Sequence, residues 1–211
     1  MNPVHEKEKE NAVGFGVYDV AIIDKLRSVF KDNTISILPV EDAFRFVSQL
    51  NSDKLNLPTI STTRLGITIL SSQVNQAAKT IGHYVGRDGE NNNIYVQSIP
   101  IRIEYQMDIF TVDRASNDAI VRELIFFFML KPTLVAHYRY GLNIDHNFNL
   151  FLNEDVTDNS DTLEHVNSGV KFRTTLTFYT DDARLVRRKR QRQGDIAAVV
   201  KTTRKKYIPK E

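Results

Sequence analysis

The sequence contains no cysteine among its 211 residues, and this absence excludes several classes of protein. Without thiols the chain can form neither disulfide bonds nor thiolate metal sites, and it has no cysteine nucleophile. A small secreted scaffold held together by disulfides is therefore excluded. A chain without thiols suits a reducing compartment such as the cytoplasm.

Long hydrophobic runs are also lacking. The longest one, residues 124–130, is far shorter than the roughly 20 residues that span a bilayer. Residues 1–11 are polar and charged, whereas a secretory signal peptide needs a basic start and then an apolar stretch. Hydrophobic residues still make up 41% of the chain, enough for a real core. We therefore expect a globular, soluble protein that does not contact membranes and is kept in the cytosol or in a particle assembled there.

Motifs for metal binding are missing as well. The histidines are scattered, and no two have the spacing that metal ligands show. They are His5, His83, His137, His146 and His165. A group of acids could attract calcium but lacks the alternating oxygen ligands and central glycine of an EF-hand, so we interpret it as a solvated loop. It comprises Glu154, Asp155, Asp158, Asp161 and Glu164.

Catalytic motifs do not occur either. Gly14 and Gly16 are followed by neither a third glycine nor a lysine in the register of a phosphate-binding loop. No serine lies in a nucleophile-elbow pattern. We therefore predict a protein that is not an enzyme and uses no cofactor or metal.

What the sequence does contain is a division of charge. The last 28 residues, from Arg184 on, carry 11 Lys or Arg and two acids, a net charge of +9, whereas the first 183 residues carry a net charge of −7. A basic segment on an acidic body is typical of a protein whose segment reaches an anionic partner. A nucleic acid, a membrane surface and an acidic protein face all fit this charge.

We call residues 183–211 the basic arm. Two basic clusters flank an apolar stretch, a pattern unlike that of a simple solvated tail. On a nucleic acid its cations would make salt-sensitive, sequence-independent phosphate contacts. On a protein its apolar residues would pack while its cations meet an acidic face, such as the body of an identical subunit. A disordered solubilising tail is the third alternative. The candidate contact residues are Arg184, Arg187, Arg188, Lys189, Arg190, Arg192, Ile196, Val199, Lys201, Arg204, Lys205 and Lys206.

Hydrophobic periodicity predicts both helices and strands in the first half of the chain. The predicted elements are a helix at 19–30 with Asp19 as N-cap, a strand at 35–38, a helix at 39–50 and a strand at 59–70. Residues 71–93 are rich in Asn, Gln and Gly and are predicted to form a long contact loop.

The clearest strand signal is the alternation of apolar and polar residues over 98–109. Pro100 cannot donate to a strand ladder, so it is expected to mark an edge, a bulge or the strand start. Three further extended stretches are predicted at 133–140, 142–152 and 170–180.

A second amphipathic segment precedes these stretches. Ser116 is predicted to cap a helix that runs to about Leu130 and is stopped by Pro132. Its second half, residues 124–130, is apolar all round, which predicts burial between the sheet and another layer or subunit.

The order of these elements indicates an α+β domain with a mixed, largely antiparallel sheet, flanking helices and an extended basic C-terminal arm. Strands that do not alternate regularly with helices disfavour a doubly wound parallel fold. We interpret residues 153–168 as a polar, acidic connection. The predicted division is a polar leader at 1–16, an α+β domain at 17–182 that includes the loop 71–93, and the basic arm at 183–211.

A series of apolar, β-rich stretches occurs in a particular order within residues 18–185. They are 18–30, 57–61 with Arg64 and Gly66, 99–111, 123–126, Pro132 and 172–174. This order resembles that of the tail terminator or tail completion (neck) proteins of contractile-tailed bacteriophages. The basic arm is not part of the shared pattern.

The resemblance implies an α+β subunit that assembles into a ring, most often sixfold, in the virion after synthesis in the host cytoplasm. Such a ring caps the tail tube and sheath and joins them to the neck, so its partners are identical subunits and the adjoining tail tube, sheath and neck proteins. DNA in the channel is a further potential contact. The alternative function is a nucleic-acid-binding module that acts through the basic arm.

Overall fold

The computed structural model describes residues 14–30, 35–38, 56–73, 83–87, 93–139, 143–160 and 172–191. The helices are α1 (Gly16–Val29) and α2 (Arg114–Leu130), and a short 3-10 turn lies at Ser71–Gln73. The strands are β1 (Ser36–Ile37), β2 (Thr59–Ile69), β3 (His83–Arg87), β4 (Asn93–Thr111), β5 (Thr133–Arg139), β6 (Asn143–Asn149), β7 (Phe151–Asp158) and β8 (Phe172–Gln191). Within these ranges, neither helix has the length and apolar character needed to cross a membrane.

Six strands form one sheet, in the order β1-β2-β4-β8-β7, with β3 paired to β4 as well. The pair β1–β2 is parallel, whereas β2–β4, β3–β4 and β7–β8 are antiparallel. Strands β5 and β6 form a separate antiparallel pair. The predicted α+β class with a mixed, largely antiparallel sheet is therefore confirmed.

The chain divides into two compact units. One contains Met1–Ile69 and Ile101–Ala183, and the other contains Leu70–Pro100 and Arg184–Glu211. In the second unit, β3 pairs with the first residues of β4, and the rings of Tyr84 and Tyr95 lie 5.8 Å apart. The first unit holds the core, to which β4, β8, both helices and the β5–β6 pair contribute.

The alternation in β4 explains how this core forms. Apolar side chains at every second position are buried, and the intervening polar side chains at 102, 104 and 106 remain partly exposed, whereas Asp108 is buried. The buried set is Ile101, Ile103, Tyr105, Met107 and Ile109. Helix α1 buries one apolar face and packs on β5. The hydroxyls of Tyr18 in α1 and Tyr138 in β5 share a 2.6 Å hydrogen bond, which satisfies both groups inside the core.

The helix caps differ from those predicted. Asp113 caps α2, because its Oδ1 accepts a 2.8 Å hydrogen bond from the Ser116 amide, so Ser116 belongs to the first turn. Asp and Ser are both good caps three residues apart, and backbone geometry selects the earlier one. Asp19 is likewise inside the first turn of α1, where its carboxylate faces the core side.

Several strands are longer than the hydrophobic pattern predicts. Strand β8 continues past Asp182 to Gln191, and β4 begins at Asn93, before Pro100. Strand β3 lies within the predicted loop 71–93, and β7 occupies part of the predicted acidic connection. Ladder hydrogen bonds hold such segments extended even where their side chains are polar.

Pro100 occupies a position consistent with its missing amide donor. The register of β3 on β4 ends at Val96, and that of β2 begins at Ile101. Pro100 thus lies between the stretches of β4 that pair with these two strands. The predicted helix at 39–50, the leader at 1–13 and the arm beyond Gln191 lie outside the described residues.

Candidate interaction surfaces

The basic arm begins within a strand. Residues 184–191 are the last part of β8, and the side chains of Arg184 and Arg187 are exposed. Arg184 Nη1 donates a long 3.5 Å hydrogen bond to Ser98 Oγ. Arg188, Lys189 and Arg190 also lie in this strand. The remaining candidate contact residues, Arg192, Ile196, Val199, Lys201, Arg204, Lys205 and Lys206, lie outside the described part of the chain. Their joint role in a contact stays a prediction.

Part of the acidic group lies on an outer strand of the sheet. Glu154, Asp155 and Asp158 are exposed on β7, which pairs with β8 on one side and, among the described residues, with no strand on the other. Hydrogen bonds from the Ser160 hydroxyl and amide lower the pKa of Asp158. The acids of β7 therefore form a charged sheet edge. Asp161 and Glu164 lie outside the described residues.

Helix α2 has a buried face and an exposed apolar face. Asn117, Ile120, Leu124 and Phe128 are buried, and the ring of Phe128 lies 4.9 Å from that of Phe178 in β8. On the other side Phe126, Met129 and Leu130 are 60%, 70% and 75% exposed. The packing predicted on the sheet is present, and the outward apolar face is uncovered in the single chain. Large exposed apolar groups side by side are typical of interaction surfaces.

A second exposed apolar group lies on β2. Leu65, Ile67 and Ile69 are 52%, 39% and 61% exposed. Strand β1 pairs only with Thr59 and Ile60, so from Ser61 on this side of β2 has no partner strand among the described residues. Sequence patterning could not find the β2 surface, since an apolar residue in a strand is normally assigned to the core, whereas for α2 it predicted two apolar sides without showing which one the sheet covers.

A buried ionisable cluster joins α1, β2 and β4. Tyr105 Oη donates a 2.9 Å hydrogen bond to Asp19 Oδ1, and Arg64 Nη1 lies 3.2 Å from Asp19 Oδ2. Burial raises the pKa of Asp19 despite the opposing Arg64 charge and the Tyr105 hydrogen bond. Burial, followed by the Asp19 charge, raises the pKa of Tyr105 well above its ordinary value. Both oxygens of Asp19 are engaged by the protein, so we interpret the cluster as structural.

The variant Asp19→Asn is expected to change how stability depends on pH. Because the pKa of Asp19 is raised above its ordinary value of 3.8, the folded protein binds this proton more tightly than the unfolded chain. The stabilisation from this tighter proton binding is fully present below pH 3.8 and is lost as the pH rises through the pKa of Asp19 in the folded protein. The difference in free energy of unfolding, wild type minus variant, should therefore fall as pH rises from about 3.8. Urea denaturation at a series of pH values measures it; a difference that rises with pH contradicts the prediction.

A second buried carboxylate joins β4 to β8. Asp108 Oδ1 accepts hydrogen bonds from Arg173 Nε at 3.2 Å, Arg173 Nη2 at 3.1 Å and Thr175 Oγ1 at 2.6 Å. Asp108 Oδ2 accepts a 2.9 Å bond from Gln106 Nε2. Both oxygens are satisfied within the sheet, so the network stabilises the fold and presents no free acid or base.

The two histidines whose side chains the structure describes, His137 and His146, make separate contacts. His137 Nδ1 lies 2.6 Å from Asp145 Oδ1 on the exposed side of the β5–β6 pair. His146 Nε2 lies 2.8 Å from the carbonyl oxygen of Asp182. Among the residues the structure describes, no three His, Asp or Glu side chains are grouped as a metal site requires. His5 and His165 lie outside the described ranges.

Comparison with known proteins gave likenesses among solved structures but none among family profiles or curated sequences. No family profile matches the sequence, and no curated protein matches it. The structure is similar to the sheath/tube terminator of PVC, an extracellular contractile injection system, solved by cryo-EM in the extended state. The TM-score is 0.48 and the sequence identity is 12% over 87% of this chain and 59% of that chain. The chain thus spans about 59% of the length of that terminator.

Proposed function

We propose that this protein is a structural virion component that forms a ring at the head-proximal end of a phage tail. The ring, with six copies as the expected number, terminates the tail tube and sheath and joins them to the neck. The order of stretches that resembles tail terminator proteins supports this function. The buried carboxylates, both fully engaged by the protein, are consistent with a function that involves no turnover.

The proposal of a ring rests on one observation, which is that the same chain has both a basic arm and an acidic sheet edge. The acids Glu154 and Asp155 are exposed on β7, whereas the cations begin at Arg184 in β8 and continue along the arm. A contact between the arm of one copy and β7 of the next uses two different surfaces. Such heterologous contacts generate closed rings when the rotation between copies closes. Complementary charges also fix the orientation of such a contact.

A truncation tests the arm. Because β8 continues to Gln191, the deletion should begin at Arg192 so that the strand stays whole. This variant is expected to fold with an unchanged unfolding midpoint and to form far fewer rings, measured by negative-stain electron microscopy and sedimentation velocity. Each ring repeats the contact at every interface, so about 0.5 kcal/mol per contact amounts to about 3 kcal/mol in a hexamer.

A charge reversal tests the sheet edge. Asp155→Lys should reduce ring formation to a similar extent and more strongly at low salt than at high salt. The matched control is Asp145→Lys, which reverses an exposed acid on β6 and should leave rings intact. Rings of unchanged abundance in both the truncation and Asp155→Lys would disprove the proposed contact.

The same variants address the nucleic-acid alternative. A module that acts through the arm would bind duplex or single-stranded DNA with a steep salt dependence, and it would lose this binding on truncation. A monomer that binds DNA in this way would favour the alternative function over the ring.

A further inference from the structure

The charge division of the sequence coincides with the division of the chain into two compact units. The unit formed by Leu70–Pro100 and Arg184–Glu211 contains 13 Lys or Arg and four Asp or Glu, a net charge of +9. The unit formed by Met1–Ile69 and Ile101–Ala183 contains 15 Lys or Arg and 22 Asp or Glu, a net charge of −7. Positive charge is therefore a property of a unit that contains strands, and not only of a C-terminal segment.

Three strand segments of the positive unit, which we call the ribbon, carry cations and no acid. They are β3, the start of β4 at 93–100 and the end of β8 at 184–191. Strand β3 pairs with β4, and the hydrogen bond from Arg184 to Ser98 shows that the end of β8 runs beside the start of β4. Among the ribbon residues none is Asp or Glu, and six are cations, so the ribbon attracts anions. The cations are Arg87, Arg184, Arg187, Arg188, Lys189 and Arg190.

Two tyrosines and an arginine share one face of the ribbon. Tyr84 of β3 lies directly opposite Tyr95 of β4, and Arg87 lies directly opposite Asn93. Tyr95 and Asn93 are two residues apart in β4, so they are on the same face. Their partners Tyr84 and Arg87 are therefore on that face as well. The register shift between Tyr84 and Gly86 allows this, because residues three apart in a regular strand are on opposite faces.

A second arginine reaches the same face from β8. Ser98 is three residues from Tyr95, so it lies on the opposite face, where Arg184 donates its hydrogen bond. Arg187 is three residues beyond Arg184, which returns it to the face of Tyr95. We call the resulting group the basic face, and it comprises Tyr84, Tyr95, Arg87 and Arg187.

We propose that the basic face binds single-stranded nucleic acid. Arg87 and Arg187 are exposed, and their guanidinium groups would bind backbone phosphates. Tyr84 is 56% exposed and is supported by the ring of Tyr95 at 5.8 Å, so a base can stack on it. Exposed aromatic rings among cations are typical of surfaces that bind single strands. A duplex, whose bases stack on each other, or an acidic protein face would match the cations alone.

This site is separate from the contacts considered under the proposed function and does not depend on that function. The ring test deletes the arm from Arg192 on, and this deletion leaves the basic face in place. A nucleic-acid module that acts through the arm alone would make no use of Tyr84. The contribution of Tyr84 therefore distinguishes the two kinds of binding.

Substitutions of Tyr84 test the stacking. Fluorescence anisotropy with a labelled oligothymidylate of about 20 nucleotides measures the affinity of the full-length protein. Tyr84→Leu should weaken binding at least about fivefold, and Tyr84→Phe, which keeps the ring, should stay within about twofold of the wild type. The matched control is Phe126→Leu, which removes an exposed ring from the other unit and should leave the affinity unchanged.

A double substitution tests the phosphate contacts. Arg87→Gln/Arg187→Gln removes two contacts, so the slope of log affinity against log salt should become shallower by about 1.4. The matched control is Arg122→Gln/Lys131→Gln, which removes the same charge from exposed positions of the other unit. This control should change the slope by less than about 0.3.

A tryptophan at position 84 reports stacking directly. The chain contains no tryptophan, so Tyr84→Trp places a single indole on the basic face. Its emission should be quenched as the oligonucleotide saturates the protein, because a stacked base is in contact with the indole. Phe126→Trp should show no such quenching.

The results that overturn the proposal are specific. They include failure of the wild type to bind oligothymidylate, and equal affinities of the wild type and Tyr84→Leu. Equal changes of slope in the two double variants would show that binding follows net charge and not the basic face. Unquenched emission from Tyr84→Trp in the bound state would exclude stacking. None of these readouts depends on whether rings form, so the ring is tested separately.

Discussion

Phe128→Ala is expected to lower the free energy of unfolding by about 3–5 kcal/mol, the largest effect of any single substitution considered for this chain. Phe128 is 1% exposed, and its ring packs 4.9 Å from Phe178 and 5.9 Å from Phe127. Removal of the ring leaves a cavity between α2 and the sheet that surrounding strands cannot fill by collapse. Since domains are stable by about 5–15 kcal/mol, this loss would bring the protein close to unfolding.

The matched control for this variant is two residues away. Phe126→Ala removes the same ring from the same helix, but Phe126 is 60% exposed. Phe126→Ala should therefore change the free energy of unfolding of a monomer by no more than about 0.5 kcal/mol. Urea denaturation at low protein concentration measures both variants. Equal losses for the two would show that the faces of α2 are not divided into buried and exposed as described.

Asp108→Asn is expected to lower the free energy of unfolding by about 2–3 kcal/mol. The isosteric amide keeps the volume but removes the charge that holds the Arg173 guanidinium, and it turns one acceptor oxygen into a donor. One orientation of the amide sets its donors against those of the Arg173 guanidinium, and the other requires the Gln106 amide to turn so that its oxygen accepts; the charge opposite Arg173 is lost in both. Chemical denaturation measures the decrease in the free energy of unfolding. The control is Asp118→Asn, which makes the same substitution at an exposed position of α2.

A double-mutant cycle separates the ion pair from the rest of this network. Arg173→Gln alone should also destabilise the fold, because it leaves the Asp108 carboxylate buried with fewer donors. Combined with Asp108→Asn, it should destabilise by clearly less than the sum of the two single losses. Strict additivity would mean that the two side chains do not interact across β4 and β8.

The parts of the fold that sequence reasoning predicts correctly are those with a strong local period. The alternation in β4 and the helical spacing in α1 directly report which face is buried, and Pro132 accounts for the end of α2. Strand β7 had no such signal, since its exposed positions include both Phe151 and Glu154. It is a strand because β8 supplies its hydrogen bonds, and pairing between distant segments is not encoded in local periodicity.

The candidate surfaces were predictable only in part. The charge of the arm is a property of the sequence, whereas the position of the β7 acids at an outer edge of the sheet depends on strand order. The same applies to the Asp19, Arg64 and Tyr105 cluster, whose members come from three separate elements. Residues 124–130 were predicted to need two neighbours because they are apolar all round, but which side the sheet covers follows only from the packing of Phe128 and Leu124.

The irregular ladder of β7 has a consequence for the behaviour of the protein at high concentration. Between Leu152 and Val156, three residues of β7 oppose a single residue of β8, and two of the three are Glu154 and Asp155. A flat outer strand is a template on which further chains add without limit and precipitate as fibres. The bulge interrupts that template, and its negative charges repel another β7. This edge can therefore attract cationic side chains while resisting aggregation, a combination that the proposed ring contact would require.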